Sequence, residues 1–167
     1  MSKKRLSQTK KNIVFLGHMG SGKSTIGRGL SKKLGLDFYD TDKEIEKEMG
    51  QKIAKIFDES GESIFRTIER KITLKLLDKK NSIIALGGGG FEDLKIRKLI
   101  LNKCNSIWLK CDLNILEKRC RVSKKRPLLS NKNIKAEFER LNKIRQKNYS
   151  KAKFTIDVSK KNKYQII

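Results

Sequence analysis

At 167 residues the chain is expected to form one domain with room for a real core, and its 37% hydrophobic and 35% charged residues describe a very polar globular protein. No apolar stretch is long enough to span a membrane and no apolar signal core follows the basic residues 1–5, which argues for a cytoplasmic location and against a membrane partner. The formal charge is +23, but the lysines are scattered along every helical segment beside abundant Asn and Ile, so compositional bias accounts for it without a specific nucleic-acid partner.

Residues 1–11 read as a flexible basic arm. An apolar strand over 13–16 then runs into Gly17-His18-Met19-Gly20-Ser21-Gly22-Lys23-Ser24, a complete G-x-x-x-x-G-K-[ST] phosphate loop. The helical pattern Lys23–Leu34 follows. Its glycines let successive N–H groups turn inward toward phosphate oxygens, and the helix start adds unpaired donors and a positive dipole end. Lys23 is placed to reach the outer phosphates, and the Ser24 hydroxyl is placed to ligate Mg²⁺. His18, the one histidine, reads as a surface filler of its loop position rather than a general base.

A short strand over 38–39 ends in Asp40-Thr41-Asp42, with a helix expected over 42–49. Thr41 and Glu44 form a T-x-x-E capping box, so Thr41 is the expected cap. Asp40 and Asp42 then lie at the carboxyl end of a strand. There they either serve Mg²⁺ and a substrate hydroxyl or simply favour the helix start electrostatically. The dipole end and Lys23 would lower the pKa of Asp42, which suits a residue that positions a hydroxyl more than a strong base.

A longer helix is expected over 62–79, with Ile64, Phe65, Ile68, Ile72 and Leu76 as its apolar stripe. Arg66 falls outside the stripe, and Glu69 at i+3 is placed to orient it, either as an anion clamp or as an ordinary exposed pair. The strand over 82–86 ends in four glycines, Gly87 to Gly90, which permit close approach to the backbone or make a flexible turn. A helix over 92–102, a strand over 106–109, a helix over 113–121, the helix Ile134–Tyr149 and a strand over 154–158 complete the alternation. Between the last two helices lies a basic segment, about 122–135, holding the one proline, Pro127; it reads as a lid or a solvated connector. Cys104, Cys111 and Cys120 have neither zinc nor disulfide spacing. Alternating strands and helices imply a three-layer α/β/α domain with a five-stranded parallel sheet, a nucleoside-triphosphate-binding fold.

The ordered set GHMGSGKST, FYDTD, IFDESGESIFRTIE, LGGGG, RPLL and the late R-x-x-x-Y at Arg145 to Tyr149 resembles the shikimate kinase family over most of the chain. The resemblance implies a single kinase domain over 12–167 with a lid at about 122–135, and with no coiled coil or long apolar edge to argue for assembly a monomer is expected. It implies transfer of the γ-phosphate of ATP, with Mg²⁺, to the 3-hydroxyl of shikimate. Carried over residue by residue, Gly20, Ser21, Gly22, Lys23, Ser24 and Thr25 would hold ATP, with Ser24 on Mg²⁺ directly and Asp40 through water. Asp42, Arg66, Gly88 and Arg145 would bind shikimate, the two arginines gripping its carboxylate. Lys23, Asp42 and Arg126 would be catalytic, Arg126 closing from the lid over the ATP phosphates. Phe91 departs from the small-then-aliphatic pair the family usually places after the glycines and is expected to perturb that turn. A gluconate or nucleotide kinase of the same fold is the nearest alternative, but needs no paired arginine clamp. A GTP switch is disfavoured because both Asn-Lys strings, at 102 and 131, lack the Asp that reads guanine.

Overall fold

The computed structural model describes residues 11–122 and 134–167; most of the expected arm, and the segment 123–133 with Arg126, lie outside the described residues. Five parallel strands form one sheet: β1 Ile13–Leu16, β2 Asp37–Asp40, β3 Ser82–Ala85, β4 Asn105–Lys110 and β5 Phe154–Asp157. Their order across the sheet is β2-β3-β1-β4-β5. The three central strands are the most apolar because helices cover both of their faces. Alternation along β1 shows the two cores: Val14 and Leu16 point to one, Phe15 to the other.

The larger core lies against α2 (Thr41–Met49), α3 (Ile53–Leu77) and α4 (Leu94–Lys103). The smaller lies against α1 (Lys23–Leu34) and the short α7 (Lys163–Ile166). Helices α5 (Leu113–Val122) and α6 (Ile134–Tyr149) pack together through Leu116, Cys120 and Phe138. The expected class, a three-layer α/β/α fold on a five-stranded parallel sheet, is therefore the observed one.

Three local expectations change. Helix α3 begins well before residue 62, because a short first piece joins the long one across Gly61, whose φ of 76° and ψ of 172° no helical residue adopts. Ile64 is 52% exposed and leaves the apolar stripe, which Phe65, Ile72 and Leu76 carry. Phe91 is fully buried in a 3-10 turn over Gly90–Glu92 and lies nearly parallel to the ring of Tyr149 at 6.4 Å. It anchors the turn to the core rather than perturbing it.

Sheet order positions the site. Because β1 and β3 are neighbours and β2 flanks β3, their carboxyl ends open side by side. The phosphate loop, the Asp40-Thr41-Asp42 segment and the four glycines therefore emerge along one edge, where open parallel sheets bind ligands.

Candidate active site

The phosphate loop is built as its glycines require. Gly17, Gly20 and Gly22 have φ of 139°, 79° and 95°, and Gly22 leads directly into α1. Lys23 folds back over the loop, its Nζ donating to the carbonyls of Gly17 at 2.7 Å and His18 at 2.8 Å. The buried Ser21 hydroxyl has no hydrogen-bond partner among the described residues.

Ser24 Oγ donates to Asp40 Oδ2 at 2.5 Å, so the expected metal pair converges. The other Asp40 oxygen accepts the N–H of Lys43 at 3.4 Å, which makes Asp40, not Thr41, the cap of α2. Thr41 is fully buried and is used elsewhere. Its Oγ1 accepts the N–H of Gly87 at 2.7 Å and faces the carbonyl of Ala85 at 3.4 Å, tying α2 to the glycine turn. A hydroxyl and a carboxylate beside the loop suit Mg²⁺, which binds through few protein oxygens together with substrate phosphates. No group of three acidic, Cys or His residues forms a self-sufficient metal cage among the described residues.

The glycine turn is a mould around site side chains. A Cβ on Gly87 would lie 2.6 Å from Asp42 Oδ1 and 2.9 Å from Glu69 Oε1. On Gly88 it would lie 3.0 Å from Arg145 Nη1, and on Gly89 2.5 Å from Arg66 Nη1. Side chains from α2, α3 and α6 thus converge on three successive residues lacking side chains.

Beyond the turn opens a cleft of about 510 Å³, lined by Arg66, Glu69, Arg70, Gly89, Arg140 and Arg145 with apolar Phe57, Ile96 and Ile144 among others. That volume is ordinary for a small-molecule site. Asp42 does not line this cleft; it is exposed and lies beside Gly87. Arg66 donates to Glu69 at 2.7 Å and to Glu62 at 3.0 Å, so two carboxylates brace it, one more than the i+3 spacing suggested. Burial opposes the Arg66 charge, but Glu69 and Glu62 hold its pKa above the ordinary arginine value. Arg70 pairs with Asp93, and Arg140 with Glu137. Arg145 is buried to 9% exposure and, among the described residues, is the cleft arginine with no ion pair.

A second cleft of about 380 Å³ lies on the other side of the loop, lined by Gly20, Gly22, Thr25, Arg119, Lys161 and Asn162 among others. Arg119 Nη1 donates to the carbonyl of Gly20 at 3.2 Å. Sequence reasoning missed this residue. Its one signal is an arginine on the helix after β4, and only the sheet order shows that this helix faces the loop.

His18 is no surface filler. It is 4% exposed, its Nε2 lies 3.2 Å from Asn142 Oδ1, and Phe138 and Tyr149 meet its ring nearly edge-on. Burial, against the Asn142 bond and with Arg145 and Lys23 nearby, lowers its pKa from 6.5 to about 4. The unfolded chain therefore binds a proton that the folded one refuses between those values. His18 contributes stability that is fully present above about pH 6.5 and lost as pH falls toward 4. Urea unfolding from pH 7.5 to 4 is expected to show this slope, and His18→Phe is expected to lose it.

A triphosphate loop that shares one sheet edge with a cleft lined by four arginines and five carboxylates, where Arg145 has no ion pair among the described residues, is the layout of a phosphate-loop kinase for a small anionic acceptor. The comparisons agree. Residues 19–167 match the shikimate kinase family. A shikimate kinase from Bartonella quintana is 42% identical over 96% of this chain and 76% of its own length. One from Persephonella marina is 43% identical over 94% of each. The structure of a shikimate kinase from Acinetobacter baumannii, in complex with shikimate, superposes with a TM-score of 0.90 at 33% identity, covering 95% of this chain and 89% of that one. The chain belongs to the shikimate kinase family.

Proposed function

We propose that the chain transfers the γ-phosphoryl group of ATP to the 3-hydroxyl of shikimate, giving shikimate 3-phosphate and ADP on the route to chorismate and aromatic amino acids. The observation that carries this reading is Arg145: a nearly buried guanidinium without an ion pair among the described residues, held against Gly88. An uncompensated buried cation is costly, and a ligand carboxylate is the natural counter-ion.

In this reading Arg145 and Arg66 grip the shikimate carboxylate, Arg66 presenting a fork aimed by Glu69 and Glu62. Asp42, beside Gly87, accepts a hydrogen bond from the reacting hydroxyl and points its oxygen at the γ-phosphorus. The new O–P bond forms as the bond from the γ-phosphorus to the bridging oxygen breaks, and the proton leaves late. A loose transition state therefore needs orientation more than a strong base. Gly20, Ser21, Gly22 and Thr25 present backbone and hydroxyl donors to the phosphates. Lys23 exchanges its loop carbonyls for outer phosphate oxygens. Ser24 and Asp40 would hold Mg²⁺, which when bound neutralises phosphate charge. Arg119 flanks the cleft left for the nucleoside end. Arg126 is assigned by family resemblance to the transferring charge. We also propose a monomer in the cytoplasm, a compartment that suits three cysteines without a disulfide.

The test is a coupled assay with Mg²⁺ and ATP, with and without shikimate. Shikimate-dependent ADP release is expected, and its absence would sink the reading. Arg66 and Arg145 also separate. Arg66→Lys keeps the charge but loses the fork, so KM for shikimate is expected to rise about tenfold with little change for ATP. Arg145→Lys is expected to raise it at least as much, because Arg145 has no ion pair among the described residues. Equal effects on both substrates would count against the clamp.

A further inference from the structure

His18 occupies a position that the reaction as described does not use. Its carbonyl receives Lys23 Nζ at 2.8 Å, on the nucleotide side of the loop. Its imidazole leaves in another direction and is buried against α6. The Nε2···Asn142 Oδ1 contact at 3.2 Å requires the proton on Nε2, because the amide oxygen only accepts. That orientation of Asn142 also lets its Nδ2 donate to Gln146 Oε1 at 3.1 Å. Nδ1 is buried without a partner among the described residues, which keeps the ring neutral and in one tautomer.

Asn142, Arg145 and Tyr149 stand at i, i+3 and i+7 on α6, a spacing that shares one helix face. Tyr149 meets His18 with its ring, 5.3 Å away and nearly perpendicular, while its hydroxyl donates to the carbonyl of Gly88 at 2.5 Å. Gly88 in turn backs onto the phosphate loop, its Cβ position 3.8 Å from the carbonyl oxygen of Gly17, and onto Arg145. Donor loop, acceptor turn and the helix bearing the clamp therefore meet around one ring.

We propose that His18 is a positioning residue that sets the placement of Arg145, and so of the acceptor carboxylate, relative to the phosphate loop. The proposal rests on the reading of Arg145 as the carboxylate clamp. The same residue supplies the carbonyl that Lys23 releases to the phosphates, so an adjustment of the loop is passed to α6 through the imidazole. No covalent role follows: the ring faces Asn142 and the aromatic side chains, not the reacting atoms.

A double-mutant cycle tests this. His18→Phe keeps an aromatic ring but removes the Nε2–H donor. It is expected to lower kcat/KM for shikimate about tenfold, the scale of a small misplacement. Combined with Arg145→Lys, the losses should fall short of multiplying by at least about fivefold; combined with Arg66→Lys, on a different helix, they should multiply to within about twofold. His18→Gln, which retains a donor, is expected to recover much of the loss. A merely structural role would lower the melting temperature and leave both cycles alike. If His18→Phe proves too unstable to purify, Asn142→Leu removes the same hydrogen bond from the helix side and must give the same pair of cycles. Multiplicative behaviour with both arginines overturns the link alone. An Arg145→Lys enzyme with unchanged KM for shikimate overturns the clamp, and the link with it.

Discussion

Gly87→Ala is expected to lower kcat/KM for shikimate about 10²-fold while ADP affinity stays within about threefold of the wild type. The added methyl would lie 2.6 Å from Asp42 Oδ1 and 2.9 Å from Glu69 Oε1, and 3.3 Å from Thr41 Oγ1. Thr41 and Glu69 do not yield cheaply, and Asp42 moves only by shifting the carboxylate itself. Thr41 is pinned by the Gly87 N–H itself, and Glu69 is 3% exposed and carries Arg66. In the proposed reading one methyl group would thus displace the hydroxyl acceptor Asp42 and unseat Glu69, the brace of the clamp. Its contacts are on the acceptor side, so the nucleotide cleft is spared. Steady-state kinetics and calorimetry with ADP read the two effects separately. A loss under about fivefold would mean that Asp42 and Glu69 have room the geometry does not show.

Lys23→Met is expected to lower kcat about 10³-fold, the upper range for losing one preorganised charge at a transition state. Methionine keeps the apolar stem and removes the ammonium. The two charge-assisted hydrogen bonds to Gly17 and His18 are lost as well, at a cost of about 1.5 kcal/mol each. For a domain of this size that lowers the melting temperature by about 6–12 °C, well short of abolishing the fold. Activity should therefore collapse in an enzyme that still folds and melts cooperatively. Retention of a tenth of kcat, or loss of the folded state, would each contradict the role given to Lys23.

Local chemistry was legible and distant contacts were not. The phosphate loop is a contiguous string whose strand, glycines, lysine and helix all speak to one geometry, and the structure builds it that way. Alternating segments likewise predicted the parallel sheet. Arg66 and Glu69 could be paired from helical spacing, and Glu62 at i−4 could have been found by the same rule. His18 was misread because its partners lie on α6, far along the chain, and nothing near residue 18 announces them. Thr41 was misread because a capping box is a local pattern, whereas its hydroxyl is taken by the turn after β3. Four glycines in a row signalled close approach, but not that the first three yield space to side chains from three helices.

The acceptor cleft also bears on folding. It draws Glu69 and Arg66 from the middle of the chain and Arg145 from its last long helix. In the proposed reading a fragment that ends before α6 lacks half the clamp, so shikimate would be a ligand of the finished fold alone. Such a ligand stabilises the native state by mass action, about 2.7 kcal/mol at a hundred times its dissociation constant. The supply of substrate would then govern how long each copy of the enzyme survives proteolysis, as well as how fast it works.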